Sequence, residues 1–111
     1  MDLGLRGKIA MVTGGSNGLG KHITCALAKE GCHVSICARG KQRLDTTETE
    51  LKTLGVKVLT SVADVTVERD AESFYNRTVS KLGAPDILVN NVGGRRGSTK
   101  IEETTMETFM D

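Results

Sequence analysis

Thr13-Gly14-Gly15-Ser16-Asn17-Gly18-Leu19-Gly20 lies between an apolar run and a helical stripe, and its reading decides the fold. Just before it, Lys8-Ile-Ala-Met-Val-Thr13 is too short for a helix and long enough for a buried strand. Just after it, Leu19, Ile23 and Leu27 recur every four residues with Ala26 beside them, which predicts a helix from Gly18 to Glu30 ended by Gly31. A helix N-terminus presents backbone N–H groups without partners and a partial positive charge, so a phosphate can sit there if no side chain blocks its approach. The glycines suit that role: Gly14 turns the chain, Gly18 lets a diphosphate come against the backbone, and Gly20 lets the helix pack closely on the sheet.

The same alternation continues outward from this loop. His33 to Ala38 predicts a second strand, and Leu44, Leu51 and Leu54 stripe a second helix closed by Gly55. Val56 to Ala63 reads as a third strand, followed by a helix striped by Val67, Ala71, Phe74, Thr78 and Leu82 that Gly83 and Pro85 stop. Asp86-Ile-Leu-Val-Asn90 is the fourth strand. Strands alternating with helices of about a dozen residues argue for parallel pairing through right-handed crossovers, hence an α/β fold. Gly93 to Lys100 has no apolar period and reads as a mobile loop, after which Thr104-Thr-Met-Glu107 offers a capping box for one more helix. Met106, Phe109 and Met110 cluster at helical spacing there and are expected to pack in a complete protein.

The chain has 111 residues, which bounds it to one domain spanning 1–111. Because it stops soon after the capping box, the expectation is an incomplete sheet of about four strands with three to four helices, the N-terminal part of something longer. Lysine and arginine number 15 against 14 acids, so no strong positive field exists to hold a nucleic acid, and Phe74, Tyr75 and Phe109 are too few for base stacking. No run approaches the length of a membrane span and no secretory leader is visible, so the expected location is cytoplasmic. Cys25, Cys32 and Cys37 lack paired spacing and read as reduced thiols, Cys25 and Cys37 in the core. Together with His22 and His33 they fall on a helix, a turn and a strand, which does not suit a tetrahedral metal site, so no metal is expected.

Two phosphate-binding patterns fail here by their letters. G-x-G-x-x-G does not occur, and the nucleoside-triphosphate loop G-x-x-x-x-G-K-[ST] is missed because His22 follows Gly20-Lys21, where a hydroxyl would hold magnesium. The spacing that fits is T-G-x-x-x-G-x-G. With Asp64-Val65 after the third strand and Asn90-Asn91-Val92-Gly93 after the fourth, the chain resembles the short-chain dehydrogenase/reductase family, valine standing where that family has alanine in N-N-A-G. The resemblance covers nearly the whole chain. It implies a Rossmann-type doubly wound sheet and a nicotinamide dinucleotide held by Gly14, Ser16, Asn17, Gly18, Leu19, Gly20, Asp64, Val65, Asn90, Asn91 and Gly93. Asp64 can alternatively cap the turn after its strand; beside the glycine loop the adenine contact is the favoured reading.

Ala38-Arg39 at the end of the second strand carries no acid that would accept a free ribose 2′-hydroxyl, and an arginine can bind a 2′-phosphate with a planar pair of donors. With Ser16 and Asn17 nearby, NADP (NADPH) is the expected cofactor. The alternative leaves Arg39 as a solvated residue opening the next helix.

Reduction of a carbonyl needs an acid beside the nicotinamide. The resembled family uses a tyrosine with a lysine four residues on, but Tyr75 is followed at that distance by Val79 and precedes the fourth strand. No residue here is therefore expected to be catalytic. The resemblance implies a parent oxidoreductase of a small carbonyl/alcohol substrate or an acyl-carrier thioester, similar to the 3-oxoacyl-acyl-carrier-protein reductases, commonly a homo-oligomer (tetramer). Arg95 and Arg96 read as a solvated loop rather than an attractor of acidic substrate. The competing readings are a noncatalytic NADP-binding module and a degenerate P-loop protein.

Overall fold

The computed structural model describes residues 4–92 and 100–104. Four strands, β1 (Ile9–Thr13), β2 (His33–Ala38), β3 (Val58–Val62) and β4 (Ile87–Val92), alternate with α1 (Gly18–Lys29), α2 (Lys41–Lys52) and α3 (Glu68–Lys81). A fifth strand, β5 (Lys100–Thr104), completes a sheet of order β3-β2-β1-β4-β5. The first four strands are mutually parallel, with Met11 opposite Ser35 on one side and Leu88 on the other.

The strand order creates a crevice at one edge of the sheet. From β1 the chain winds outward through α1 and α2 to β3, then α3 carries it back across the sheet to β4 on the other side of β1. At this reversal the connections leaving β1 and β4 diverge, and the crevice between them lies at the carboxyl edge of the strands. The glycine loop and Asn90-Asn91 both end there.

Both faces of the sheet are covered. Ala10, Val12, Val34, Ile36 and Val89 point to one side, where Ala28 of α1 and Leu44 and Leu51 of α2 bury them. Met11, Cys37 and Leu88 point to the other, under Phe74 of α3. Period-two alternation along strands buried on both sides explains why they read as unbroken apolar runs. The α3 face also encloses a hydroxyl pair, Ser35 Oγ and Thr78 Oγ1 at 2.7 Å, while Thr78 Oγ1 bonds the Phe74 carbonyl at 2.8 Å. Buried hydroxyls are tolerated because each finds a partner, and each such bond contributes about 1 kcal/mol net.

Three expectations need correction. In α1 the line facing the sheet is Gly20, Thr24 and Ala28; Ile23 and Leu27 pack at its border, and Leu19 is 48% exposed. The buried line lies one residue on from the leucine stripe because only small side chains fit where the helix axis comes closest to the strands. Leu54 and Val67 lie outside the helices they were expected to stripe, Val67 as the N-cap of α3, and both are exposed. Lys100 is not loop: residues 100–104 pair antiparallel with β4, Val92 opposite Lys100 and Leu88 opposite Thr104. Pairing with the outer edge of β4 needs only backbone groups, which an apolar-period reading does not register. Gly93, the rest of the expected loop with Arg95 and Arg96, and the expected fourth helix lie outside the described residues.

Candidate coenzyme-binding site

The loop from Gly14 to Asn17 is held by backbone bonds to the neighbouring strand. Gly14 N–H donates to the Cys37 carbonyl at 2.9 Å, and Gly14 takes φ +65°, the left-handed turn its position requires. The glycines then divide by role. A Cβ on Gly20 would stand 2.1 Å from the Gly14 carbonyl oxygen and 2.4 Å from Asn91 Nδ2, so Gly20 lets α1 close onto its own loop and onto β4. A Cβ on Gly15 would strike Ile36 Cγ2 at 2.7 Å. Gly18, at φ +43°, meets nothing within 4 Å and faces open space at the helix start.

That start carries no internal anion. Asn17 is the N-cap but makes no side-chain cap bond, and the first turn of α1 contains no acid. Ser16 is only 6% exposed, and its Oγ has no hydrogen-bond partner. A buried hydroxyl without a partner is costly, and this one lies beside the start of α1. These features fit a phosphate-bearing ligand: the open approach at Gly18, the bare helix end and the orphaned hydroxyl all meet at one place.

β4 is tied to β1 through Thr13. Its Oγ1 donates to Asn90 Oδ1 at 3.2 Å and accepts the Asn91 N–H at 2.9 Å, so the threonine that opens the glycine motif ties the two strands together. Asn91 is 9% exposed and its Oδ1 is a second buried atom with no partner.

Asp64 follows β3 and holds the turn after it. Its Oδ1 accepts from Thr66 N–H at 3.0 Å and Thr66 Oγ1 at 2.6 Å, the capping arrangement that was the alternative reading for this residue. The Thr66 hydroxyl and backbone N–H hold the Asp64 carboxyl below its ordinary range, with the charge of Arg39 assisting. Asp70 Oδ2 accepts the Asp64 N–H at 2.9 Å, fixing the loop from the first turn of α3. Val65, half-buried, packs on the cluster around Phe74. Arg39 is exposed just beyond β2.

The arginine beside the glycine loop is Arg43, in the first turns of α2. It donates to Asn17 Oδ1 and lines, with Ser16, Gly18, Lys21 and Gln42, a cavity of about 510 Å³ between the starts of α1 and α2. Sequence reasoning missed Arg43, Thr13, Gly15 and Asp70; the four-residue spacing from Arg39 to Arg43 and the acid in the first turn of α3 were the available signals. Tyr75 is half-buried against the cluster of Met11, Cys37, Ala63, Phe74 and Leu88, away from the glycine loop. Cys37 is buried in the same cluster, where loss of solvent pushes its thiol up to about 12, so it is no nucleophile at neutral pH. Cys25 is half-buried at the edge of the opposite cluster. Among the described residues no group of three His, Cys, Asp or Glu is placed to hold a metal, and no helix is long and apolar enough to cross a membrane.

A family model described as short chain dehydrogenase matches residues 8–111. This chain belongs to the short-chain dehydrogenase family. The putative ketoacyl reductase of Streptomyces coelicolor is 38% identical over 104 residues, 94% of this chain and 40% of that protein. Among solved structures, L-sorbose reductase from Gluconobacter frateurii, complexed with NADPH and L-sorbose, superposes with a TM-score of 0.82 at 39% identity, over 96% of this chain and 39% of that one. A 7α-hydroxysteroid dehydrogenase complexed with NADH and 7-oxo glycochenodeoxycholic acid superposes at 0.78 with 34% identity, over 81% of this chain and 35% of that one. The chain thus spans about two-fifths of the length of these short-chain dehydrogenases. Because the two enzymes carry different coenzymes on one backbone, backbone likeness leaves the choice of coenzyme to side chains.

Proposed function

We propose that this chain is the coenzyme-holding part of an NADP(H)-dependent oxidoreductase that interconverts a carbonyl and an alcohol. The observation that carries the reading is the bare start of α1 at the reversal point of the sheet, with Gly18 open and the buried Ser16 hydroxyl lacking a partner. In this reading the backbone from Gly14 through Gly20 takes the diphosphate, with Leu19 contributing its N–H at the helix start. Asp64, through its second oxygen, and Val65 border the adenine. Asn90, Asn91 and Gly93 border the nicotinamide ribose, Asn91 Oδ1 being the acceptor left open there. Arg39 takes the 2′-phosphate; the strand end offers no carboxylate to a free 2′-hydroxyl.

The dinucleotide, when bound, supplies or accepts the hydride. In this reading the proton for the carbonyl oxygen comes from a group other than Tyr75, which packs half-buried against the cluster around Phe74. We assign no catalytic residue in 1–111 and place the acid in a longer parent protein, whose substrate is a small carbonyl/alcohol compound or an acyl-carrier thioester and whose assembly is a homo-oligomer. A cytosolic location completes the reading, supported by three cysteines that form no disulfide.

Titration calorimetry of the full-length protein with NADPH and NADH tests the assignment. Wild type is expected to prefer NADPH at least tenfold and Arg39→Ala to lose most of that preference. ATP with magnesium outcompeting NADPH, or an unchanged preference in Arg39→Ala, overturns it.

A further inference from the structure

β3 ends the sheet on the side away from β4, and its pairing with β2 shows which of its backbone groups lack a neighbouring strand. Val34 N–H donates to the Lys57 carbonyl and Ala63 N–H to the Ala38 carbonyl, so Lys57, Leu59, Ser61 and Ala63 turn their peptide groups toward β2. By alternation the N–H and C=O groups of Val58, Thr60 and Val62 point away from the sheet. Among the described residues they have one hydrogen-bond partner, Arg77 of α3, whose Nη2 donates to the Thr60 carbonyl at 3.4 Å. That contact is long and exposed, so it caps one carbonyl weakly and leaves the outward N–H groups open.

Edge strands are usually kept from pairing by a charge, a proline or a bulge. Val58-Leu-Thr-Ser-Val62 carries no charge and no proline, and its register with β2 runs without a bulge. Val62 is 58% exposed, more than any other large apolar side chain among the described residues. A cavity of about 540 Å³ opens along Thr60 to Val62, walled by Lys41, Asp45 and Glu48 of α2 and by Arg77 of α3. Because α2 returns from the end of β2 to the start of β3, Lys41 lies toward Val62, and Glu48, two turns on, lies toward Val58. Both side chains are held only in exposed pairs, Lys41 with Asp45 and Glu48 with Lys52, which contribute little and are readily exchanged.

We propose that the free edge of β3 is a docking surface for a second copy of this chain, the two β3 strands pairing antiparallel about a two-fold axis at Thr60. A two-fold contact must be complementary to itself, and this one is so in backbone, apolar surface and charge. The outward N–H and C=O of Thr60 exchange hydrogen bonds with Thr60 of the partner subunit. Val62 then lies opposite Val58 of the partner subunit on the α2 face, which covers the most exposed valine. Lys41 comes to the level of Glu48 of the partner subunit, and the symmetry repeats this opposite-charge pair. Arg77 opposes the contact: it stands near the axis over the carbonyl that the second copy takes, and so keeps the pairing weak and reversible.

The test is hydrogen exchange at the Thr60 and Val62 amides of the full-length protein as its concentration is raised, with sedimentation equilibrium giving the mass. Exchange is expected to slow about tenfold from the dilute to the concentrated end, while the mass doubles relative to that of the Thr60→Pro variant. Thr60→Pro removes an N–H that bonds nothing within the chain, so it is expected to leave the fold intact and abolish the concentration dependence. Val62→Lys, a charge at an exposed edge position, is expected to abolish it as well. Glu48→Lys is expected to weaken association about fivefold, adding Lys41→Glu to restore it, and Arg77→Ala to tighten it. Fast exchange in β3 at every concentration overturns the inference. Protection that is independent of concentration, or that survives both Thr60→Pro and Val62→Lys, means that something other than a second copy covers the edge and also overturns it. Association unchanged by Glu48→Lys overturns the two-fold pairing.

Discussion

The helices α1 and α3 both start at the carboxyl edge of the same sheet, yet one start is left bare and the other supplies its own anions. In the first turn of α3 stand Glu68 and Asp70, and Asp70 reaches back to the Asp64 N–H while Asp64 holds Thr66. The first turn of α1 has no acid, its N-cap side chain is turned to Arg43, and a buried hydroxyl beside it has no partner. A helix end whose field is answered from within the chain is structural, and one left unanswered is available to a ligand. In the proposed reading the difference marks the start of α1, and not that of α3, as the end that receives the coenzyme.

The largest effect that can break this contrast lies at Gly20. A methyl group there collides with the Gly14 carbonyl, which is backbone and cannot swing away, so Gly20→Ala is expected to cost about 3 kcal/mol in urea unfolding. At Gly18 the space is open and only the positive φ is strained, so Gly18→Ala is expected to cost about 1 kcal/mol. Equal costs at the two positions contradict the division of roles.

A smaller change makes α1 resemble α3. Leu19→Glu places a carboxylate in the bare first turn at an exposed position, which favours the helix by about 0.3–1 kcal/mol. NADPH affinity is expected to fall about tenfold while the melting temperature holds or rises. Unchanged affinity removes the helix field from the account.

The smallest effect sharpens the α3 side. The Asp64 carboxyl is held below its unfolded value of 3.8 by Thr66, so its ionised form favours the folded state. That contribution is present above the unfolded pKa and is lost as pH falls through the lower folded value. Asp64→Asn keeps an acceptor for Thr66 and removes the titration. Denaturation curves at pH 7 and pH 3 are expected to show a slightly smaller acid loss in the variant, and an equal loss contradicts the assignment.

Much of this molecule was legible in its residues. β2 was read at its observed limits, and α1 to within a residue at its end, because the apolar periods switch cleanly at Gly31 and Gly40. The glycine loop and Asp64 were legible as segments that follow strands, whereas Asn90-Asn91, read at the end of the fourth strand and just after it, lies inside β4. What escaped had no periodic signature. β5 lacks an apolar alternation; the residue of α1 that meets the sheet depends on how close the helix sits; Arg43 matters only because the start of α2 lies against the loop after β1.

By itself the sequence determined the alternation of strands and helices, the position of the glycine turn between β1 and α1, and the absence of an acid at the end of β2. These are local properties, set by side-chain period, glycine conformation and the identity of single residues. Only the tertiary structure decided that Gly20 faces a carbonyl and Gly18 open space, that the Ser16 hydroxyl is buried without a partner, and that Arg43 stands at the same cavity. The physical reason is that burial and electrostatic pairing are relations between segments distant in the chain, which exist only once the sheet order has brought α1 and α2 together.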